Sequence, residues 1–562
     1  MGTASGGSAA ALVGSSRGGA VGVSRAATLK ARGAVVGSIS CGAAGECAAG
    51  GFYRQGNRRK AFVVSETNGS WGKAIEVPGT ATLNKGGHAE VDSVSCPAAG
   101  ECAAGGYYTD GSSHQQAFVV TETNGSWGNA IEVPGTATLN AGAFAGHGAA
   151  VDSVSCAAAG ECAAGGHYTD GSENGQAFVV TETDGIWGNA IEVPGTATLN
   201  ADGIAGVKSV SCAAAGECAA GGGYTDGSGN AQAFVVDETD GSWRNAVEVP
   251  GTATLNTGGL AGVGSISCAA AGDCAAGGHY EARYSQQAFV VSETNGSWET
   301  AIEVPGTATL NKGGGDGNNG AETVSISCAA PGDCAAGGLY TDGGGNQQAF
   351  VVDESNGSWG NAIKVPGTAS LNPGGTAGVD SISCAAVGDC AAGGYSTGGY
   401  NSAYNAQAFV VGELNGIWGT ALKVPGAATL NTGGFDGEGA AVNSISCAAS
   451  GECAAGGYYT SGYFSGRGSS GFGRRAYVVS ETKGNWRNAI QVFPACVDPN
   501  VVGKMLSAAK KTLHASDCGL GTIKKVYSKV KKGRVVAQQP IPGKLLKAGA
   551  KVALAVSKGT KT

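Results

Sequence analysis

The sequence predicts a mainly β protein, an eight-bladed β-propeller of four-stranded antiparallel blades followed by a small α+β domain. A unit of sequence recurs eight times at intervals of 55 to 63 residues, each copy divides into four β-like runs, and the pattern changes at Cys496. A period of this length indicates a repeat architecture. We therefore divide the chain into residues 1–34, a partial repeat or lead, residues 35–494, the propeller, and residues 495–562, the C-terminal domain.

One complete copy, residues 153–200, shows how each unit divides. Turn residues separate the runs SVSC, CAAGGHYTD, QAFVVTET and IWGNAIEVP, and the third-to-fourth turn is Asp184-Gly185, a dipeptide that favours two-residue hairpins. Four strands joined in succession form a propeller blade. A solenoid coil is shorter than this period, and no unit contains a helical 3.6-residue pattern. A seven-bladed ring with a spare blade and two smaller rings remain as alternatives.

The 18 cysteines fit a disulfide framework. Each unit has two cysteines that flank a short hairpin loop, and facing positions on antiparallel strands lie within disulfide reach. Disulfides would indicate an oxidising, extracellular setting, whereas the alternative is reduced, buried thiols. The spacing does not match zinc ligands. The expected pairs are Cys41 with Cys47, Cys96 with Cys102, Cys156 with Cys162, Cys212 with Cys218, Cys268 with Cys274, Cys328 with Cys334, Cys384 with Cys390, Cys447 with Cys453, and Cys496 with Cys518.

The N-terminal segment shows no signal peptide. Its apolar run spans only five residues, and no segment of the chain approaches the length of a membrane span. Within residues 12–30, VGVSRAATLK aligns with IEVPGTATLN of a complete unit. Either the start codon lies inside a longer gene, or this half-unit helps to close the ring.

Charge differs between the two parts of the chain. Residues 496–562 contain 14 Lys and Arg against two Asp, a net charge of +12, whereas the rest of the chain carries −20. This asymmetry indicates different partners for the two parts. An acidic propeller repels phosphate, which disfavours a nucleic-acid partner.

All eight tryptophans occupy one site, just after the third-to-fourth turn. An aromatic residue that appears once per blade indicates packing between blades. Segments such as SETNGSW, residues 65–71, resemble the Asp-box repeats of sialidase-like proteins, with Thr in place of the Asp and one residue fewer before the Trp. The resemblance implies a propeller. A sialidase-like activity would also need an arginine cluster, an acid and a tyrosine nucleophile that break the repeat, and the sequence shows no such set.

Length differences between copies concentrate on one face of the predicted propeller. They fall in residues 54–60, 281–285, 313–322, 396–405 and 459–475, within the second-to-third turns and the connections between blades. Variable loops on a constant scaffold are typical of binding surfaces, here for a protein or glycan ligand; the alternative is unselected variation.

Aromatic residues at the end of the second strand lead toward this face. Packing explains most of them, but we expect some to stack on sugar rings at the mouth of the ring. The candidates are Tyr53, Tyr108, Tyr168, Tyr224, Tyr280, Tyr340 and Tyr459.

The opposite face should be acidic, because each unit has one carboxylate before its second cysteine and another near the third-to-fourth turn. This pattern is typical of a solvated face, and attraction of divalent cations is the alternative. The six histidines are scattered without metal-ligand spacing. We find no catalytic constellation, and we expect no metal and no cofactor.

The C-terminal domain combines one helix with a small sheet. Val502, Leu506, Ala509 and Leu513 form a helical stripe, and the runs TIKKVYS, RVVAQQP and KVALAVS follow as strands. A bridge from Cys496 to Cys518 would fasten the helix to the sheet.

This segment resembles a PASTA domain over nearly all of residues 496–558. The residues that carry the resemblance are PNVVG at 499–503, VYS at 526–528, GRVV at 533–536, QQPIPG at 538–543 and GAKV at 549–552. The family implies contact with peptidoglycan. Basic charge in an extracellular domain also attracts anionic wall polymers, and the alternative is a cap for the propeller. The candidate contacts are Lys524, Lys525, Lys529, Lys531, Lys532 and Arg534.

Together these features predict a secreted, cell-wall-associated binding or scaffold protein of bacterial type, without enzyme activity. The alternative is a secreted glycan-active hydrolase or lyase with its site in the propeller channel. A singular cluster of carboxylates and arginines facing the axis would favour the hydrolase, whereas a channel lined by repeated small residues would favour the binding protein. A structural surface protein without a specific ligand is a third possibility.

Overall fold

The computed structural model describes residues 31–313, 320–371, 375–398, 406–431, 439–464, 471–492, 496–497, 499–515, 518–542, 545–546 and 550–560. Eight antiparallel sheets follow one another along the chain, and each is formed by one continuous stretch of sequence. We number them as blades 1 to 8. Their ranges are 31–76, 89–132, 150–192, 205–248, 261–303, 322–364, 377–423 and 441–491.

Each blade begins with an inner strand next to the ring axis and continues outward through a second and a third strand. The inner strands are Ala31–Ala43, Ala89–Ala98, Ala150–Ala158, Ala205–Ala214, Ala261–Ala270, Glu322–Ala330, Ala377–Ala386 and Ala441–Ala449. The second strands are Glu46–Gln55, Glu101–Thr109, Glu161–Thr169, Glu217–Thr225, Asp273–Ala282, Asp333–Thr341, Asp389–Ser396 and Glu452–Phe464. The third strands are Arg58–Thr67, Gln115–Thr123, Gly175–Thr183, Ala231–Thr239, Ser285–Thr294, Gln347–Ser355, Gln407–Leu414 and Gly471–Thr482.

The outer, fourth strand consists of two short pieces that both pair with the third strand. The first pieces are Ser70–Trp71, Ser126–Trp127, Ile186–Trp187, Ser242–Trp243, Ser297–Trp298, Ser358–Trp359, Ile417–Trp418 and Asn485–Trp486. The second pieces are Ile75–Glu76, Ile131–Glu132, Ile191–Glu192, Val247–Glu248, Ile302–Glu303, Ile363–Lys364, Leu422–Lys423 and Ile490–Gln491. The strand is interrupted because the intervening backbone bonds to the preceding blade, as where Ala130 N–H donates to Pro78 O at 2.8 Å.

A one-turn helix follows the outer strand in seven blades, which the sequence did not predict because one turn is too short to show a period. These helices are Thr80–Leu83, Thr136–Leu139, Thr196–Leu199, Thr252–Leu255, Thr307–Leu310, Thr368–Leu371 and Ala427–Leu430. Each is followed in sequence by an Asn, and five of these residues link neighbouring blades, namely Asn140, Asn200, Asn256, Asn311 and Asn431. Asn140 Nδ2 donates to Gln115 O at 3.0 Å, and Thr169 N–H of the next blade donates to Asn140 Oδ1 at 3.1 Å.

The ring closes between blades 1 and 8. Ile39 N–H and Cys41 N–H each donate a 3.0 Å hydrogen bond, to Ser444 Oγ and Ser446 Oγ respectively. The same two bonds join every other pair of neighbouring blades, so they form two closed rings of serines around the axis. Blade 1 therefore has all its strands without help from residues 12–30, which lie outside the described residues. One eight-bladed ring is confirmed, and the seven-bladed and two-ring alternatives are wrong.

Glycines in the second strand allow the blades to pack closely, as the sequence predicts. A Cβ on Gly105 would lie 2.4 Å from Val151 Cγ1 of the next blade, and one on Gly106 would lie 2.1 Å from Glu90 O. Real Cβ atoms do not approach other atoms this closely, so a larger residue at Gly105 would force neighbouring blades apart, and one at Gly106 would push apart the inner and second strands of its own blade.

Eight of the nine expected disulfides are confirmed. Each joins facing residues of the inner and second strands, with Cα atoms 3.9 to 4.1 Å apart. Cys518 is also disulfide-bonded, and its expected partner, Cys496, has a side chain outside the described residues. Among the described cysteines none is free.

The C-terminal domain contains the helix Leu506–Ala515 and a three-stranded sheet, in which Gly519–Val526 runs parallel and Val535–Gln539 antiparallel to the central Lys551–Ser557. Cys496–Val497 pairs with Leu545–Leu546. Of the predicted helical stripe, Ala509 and Leu513 are buried, whereas Val502 precedes the helix and is 45% exposed. No helix in the described part of the chain is long and apolar enough to cross a membrane.

Candidate functional site

The candidate site lies where the central channel opens on the loop face, defined here as the face with the second-to-third turns and the connections between blades. Each inner strand runs from the loop face to the opposite hairpin face. On the hairpin face, Gly69 N–H donates to Gly45 O at 3.0 Å. This hydrogen bond joins the first-to-second turn and the third-to-fourth turn of blade 1. Going inward from the loop face, two variable layers precede the two serine rings.

The deeper variable layer, next to the serine rings, consists of bulge residues. Each inner strand shifts register just before its first ring serine, so one residue has no partner on the second strand. A bulge re-aims a side chain, here toward the axis, because bulge residues of adjacent blades approach one another. Lys208 Nζ lies 4.0 Å from Asp152 Oδ1 of the preceding blade. The bulge residues are Gly37, Asp92, Asp152, Lys208, Gly264, Val324, Asp380 and Asn443.

The second variable layer consists of rim residues, which stand on the second strand one position before the predicted tyrosines. All are partly exposed. They pair with the inner strand two positions before its bulge residue, as Tyr107 pairs with Glu90. The rim residues are Phe52, Tyr107, His167, Gly223, His279, Leu339, Tyr395 and Tyr458.

One wall of the channel mouth carries an arginine, a carboxylate and a tyrosine in mutual contact. Arg59 Nη1 forms an ion pair with Glu90 Oε2 and donates to Tyr107 OH at 3.1 Å, while Tyr107 OH donates to Glu90 at 3.4 Å. The Arg59 guanidinium also lies 4.1 Å from the centre of the Phe52 ring. Burial raises the pKa of Glu90, and the charge of Arg59 opposes that rise. The group therefore presents both a charged and an aromatic surface.

A second cluster lies one step deeper, on blades 2 to 4. His167 Nδ1 lies 2.8 Å from Asp152 Oδ2, and Lys208 approaches the same carboxylate. Burial, together with the charges of Glu90 and Asp152, raises the pKa of Asp92 well above its usual range. Within the described part of the chain the Asp92 carboxyl has no hydrogen-bond partner. A raised pKa lets a carboxyl keep its proton to a higher pH than an exposed one, and in that form it can donate a hydrogen bond or a proton to a ligand.

The adjoining wall, formed by blades 7 and 8, is also acidic and aromatic. Burial raises the pKa of Asp380 to about 7, and burial together with the charge of Asp380 raises the pKa of the neighbouring Tyr395. The Arg474 guanidinium lies 4.2 Å from the centre of the Tyr458 ring, at the position that Arg59 occupies in blade 1. The mouth thus combines carboxylates, guanidinium groups and aromatic rings, which together suit a polar ligand with apolar patches.

The seven predicted tyrosines are buried, with 1 to 4% of their surface exposed. Their rings pack between blades, and most hydroxyls bond to an outer-strand carboxylate, as Tyr108 OH donates to Glu132 Oε2 at 2.8 Å. The role in stacking on a ligand, predicted for Tyr53, Tyr108, Tyr168, Tyr224, Tyr280, Tyr340 and Tyr459, is inconsistent with this burial. Because strand side chains alternate, the partly exposed position is the preceding residue.

Sequence reasoning also missed the bulge residues. The signal was present, since one variable position precedes the repeated Ser-x-Ser-Cys in every copy. Of the predicted variable loops, residues 54–60 and 281–285 are fully described, and parts of the other three lie outside the described residues.

The predicted basic residues of the C-terminal domain lie along its edge strand and the turn that follows. Lys524 and Lys525 are exposed on Gly519–Val526, and Lys529, Lys531 and Lys532 are exposed after it. Arg534 is partly buried, and its Nη1 donates to Gly503 O at 2.7 Å, so this side chain also supports the local fold.

Comparison with known families identifies this domain. Residues 499–558 match the PASTA domain family. The PASTA domain therefore begins just after the last blade and carries the basic edge strand described above.

Several solved structures are similar to the ring of blades at low sequence identity. Sqt1 from Chaetomium thermophilum shares 11% identity with a TM-score of 0.42, covering 82% of this chain and 96% of that protein. The Hadza microbial sialidase Hz136 shares 13% identity with a TM-score of 0.31, covering 62% and 70%. The fucose-specific lectin from Aleuria aurantia shares 12% identity with a TM-score of 0.28, covering 60% and 93%. No curated protein matches the chain.

Proposed function

We propose that this protein is an extracellular, cell-wall-associated binding protein. In this proposal the propeller binds a glycan or protein ligand at the channel mouth on the loop face, and the PASTA domain contacts peptidoglycan or an anionic wall polymer. The eight disulfides and the PASTA domain support an extracellular location.

One observation carries the proposal for the propeller. The two serine rings repeat in all eight blades, whereas the bulge and rim residues differ from blade to blade. Repetition of the serines is explained by ring closure. The charged and aromatic residues above them are not part of these rings, and in the described part of the chain Asp92 and Asp380 have no hydrogen-bond partner. Such side chains, placed where a ligand has access, are typical of a recognition site.

Binding of the full-length protein to purified wall fractions and to a glycan array tests the proposal. We expect enrichment on one ligand class, and about tenfold weaker binding of that class by Arg59→Ala, since a charge-assisted hydrogen bond contributes about 1.5–3 kcal/mol. A matched control is Arg244→Asn, which removes an exposed arginine on the hairpin face. Equal binding by wild type and Arg59→Ala would count against the channel mouth as the ligand-binding site.

The second candidate function is a glycan-active hydrolase or lyase, favoured by the group of Arg59, Glu90 and Tyr107 beside Asp92. Carboxyl groups with different protonation states in one site are what glycosidic cleavage requires. Release of reducing ends from wall glycans, abolished by Asp92→Asn, would support this function. Binding without product release would favour the binding protein.

A further inference from the structure

Five interblade contacts on the hairpin face share one arrangement. A third-strand hydroxyl donates to a buried glutamate of the next blade, and a tryptophan of that next blade donates to the same hydroxyl. Thus Ser65 Oγ donates to Glu122 Oε1 at 2.7 Å, and Trp127 Nε1 donates to Ser65 Oγ at 3.1 Å. The other hydroxyl–glutamate pairs are Thr121 with Glu182, Thr181 with Glu238, Ser292 with Glu354, and Ser480 with Glu66.

Two interfaces depart from this pattern in the same way. Asp237 replaces the hydroxyl between blades 4 and 5, and Asp353 replaces it between blades 6 and 7. The tryptophan bond is kept, since Trp298 Nε1 donates to both Asp237 oxygens at 3.1 and 3.2 Å and Trp418 Nε1 to both Asp353 oxygens at 3.0 Å. The facing glutamates lose their donor.

Each carboxylate pair lines a cavity between the hairpin turns. Asp237 and Glu293 line one of about 350 Å³, and Asp353 and Glu413 line one of about 270 Å³. Glu293 is 5% exposed and Glu413 is 7% exposed. Within the described part of the chain neither side chain has a hydrogen-bond partner, so each cavity contains a buried, unpartnered carboxyl group opposite a second carboxyl group.

We propose that each of these two interblade cavities binds a hydrated divalent cation, with Asp237 and Glu293 as ligands in one and Asp353 and Glu413 in the other. Hard divalent cations take oxygen ligands and accept water in the remaining positions. The described residues include no group of three or more His, Cys, Asp or Glu that could hold a metal ion, so the proposed sites have two protein ligands each and water in the other positions. A double positive charge also removes the repulsion between the two carboxylates.

The surroundings are mainly acidic, with Arg244 as a basic neighbour of the first cavity. The first cavity is also lined by Glu217 and Glu238. The second cavity is also lined by Asp333 and Glu354. Burial, together with the charges of Asp237 and Asp273, raises the pKa of Glu293 to about 7, and burial with the charges of Asp353 and Asp389 does the same for Glu413.

Terbium luminescence tests the proposal, because Tb³⁺ substitutes for Ca²⁺ and can be excited through a nearby tryptophan. Trp298 and Trp418 donate hydrogen bonds to the proposed ligands Asp237 and Asp353. We expect two Ca²⁺-competitive Tb³⁺ ions per chain on tryptophan excitation. Asp237→Ser and Asp353→Ser should each remove one, and the double variant both. Serine occurs at this position in other blades, so these variants preserve a contact that the fold already uses.

A matched control is Asp184→Asn, which removes an exposed hairpin-face acid at a position where Asn68 and Asn124 stand in other blades. It should retain both ions. Ser292→Asp, opposite Glu354, should create a third site. Unchanged stoichiometry in the double variant, or no Tb³⁺ bound by the wild type, would overturn the proposal and leave the pairs as carboxyl groups that share a proton.

Discussion

Cys41 N–H donates a 3.0 Å hydrogen bond to Ser446 Oγ, and this contact joins the first and eighth blades across 405 residues of sequence. It belongs to a ring of eight such bonds. Each blade has all its strands from one stretch of chain, so the ring is closed by contacts between inner strands, in which side-chain hydroxyls satisfy backbone donors.

Removing one hydroxyl of this ring should weaken the fold. Ser446→Ala leaves the partly buried Cys41 N–H without its acceptor, which costs about 1–3 kcal/mol. We expect the free energy of unfolding, measured with urea, to fall by this amount. Ser95→Ala, at the contact between blades 2 and 3, should lower it by a similar amount. A much larger effect of Ser446→Ala would mean that the closing interface is weaker than the others.

Each blade disulfide should contribute modestly to stability. The six-residue separation closes a short loop, for which the chain-entropy model gives about 2 kcal/mol. The paired substitution of Cys212→Ala and Cys218→Ala should lower the free energy of unfolding by about that amount without changing the circular dichroism spectrum. An unchanged midpoint of chemical unfolding would contradict this estimate.

The acid pair between blades 4 and 5 should make stability depend on pH. The pKa of Glu293 is raised from 4.5 to about 7, so its contribution is fully present below about pH 4.5 and is lost as the pH rises through 7. In EDTA, Glu293→Gln should therefore gain thermal stability relative to wild type as the pH rises from 5 to 8. Glu122→Gln is the comparison variant at an interface with a hydroxyl. An equal gain in both variants would show that the aspartate is not responsible.

Substitution of Asp92 should separate recognition from folding. Because its pKa is raised well above the usual range, Asn resembles the protonated form, and Asp92→Asn should leave the melting temperature at pH 7 unchanged or higher. Ligand binding at the channel mouth should fall in the same variant. A loss of stability would mean that Asp92 is charged and stabilised by a partner in the folded protein.

Wall binding by the PASTA domain should depend on charge and salt. Lys524→Glu combined with Lys525→Glu reverses two exposed charges on the edge strand, and we expect this variant to be retained less on purified wall than wild type. We also expect retention of the wild type to fall as NaCl is raised from 50 to 500 mM. Lys364→Glu is a suitable control, since Glu132 stands at the same position in blade 2. Salt-independent retention would indicate apolar recognition instead.

Much of the architecture could be predicted because it repeats. Eight copies of each turn, cysteine and tryptophan average out the ambiguity of a single short strand, and the blade number and the eight disulfides follow from that repetition. The PASTA domain occurs once and could be predicted from its own sequence segments. The tyrosines were misplaced for a local reason. In Tyr107-Tyr108, alternation along the strand puts one ring on the buried side and the other at the channel mouth, and the pattern does not indicate which.

The sequence by itself determined the eight-bladed plan, the covalent cross-links and the basic C-terminal domain, because each depends on residues that are close in the chain or repeated along it. Only the tertiary structure decided what the varied positions do. Asp92, Asp152 and Lys208 stand about 56 to 60 residues apart in sequence and meet only because the ring brings equivalent positions of adjacent blades to one axis. The same closure sets Asp237 against Glu293. The replacement of a Ser or Thr by Asp237 in one copy therefore has its effect through a glutamate of the neighbouring copy.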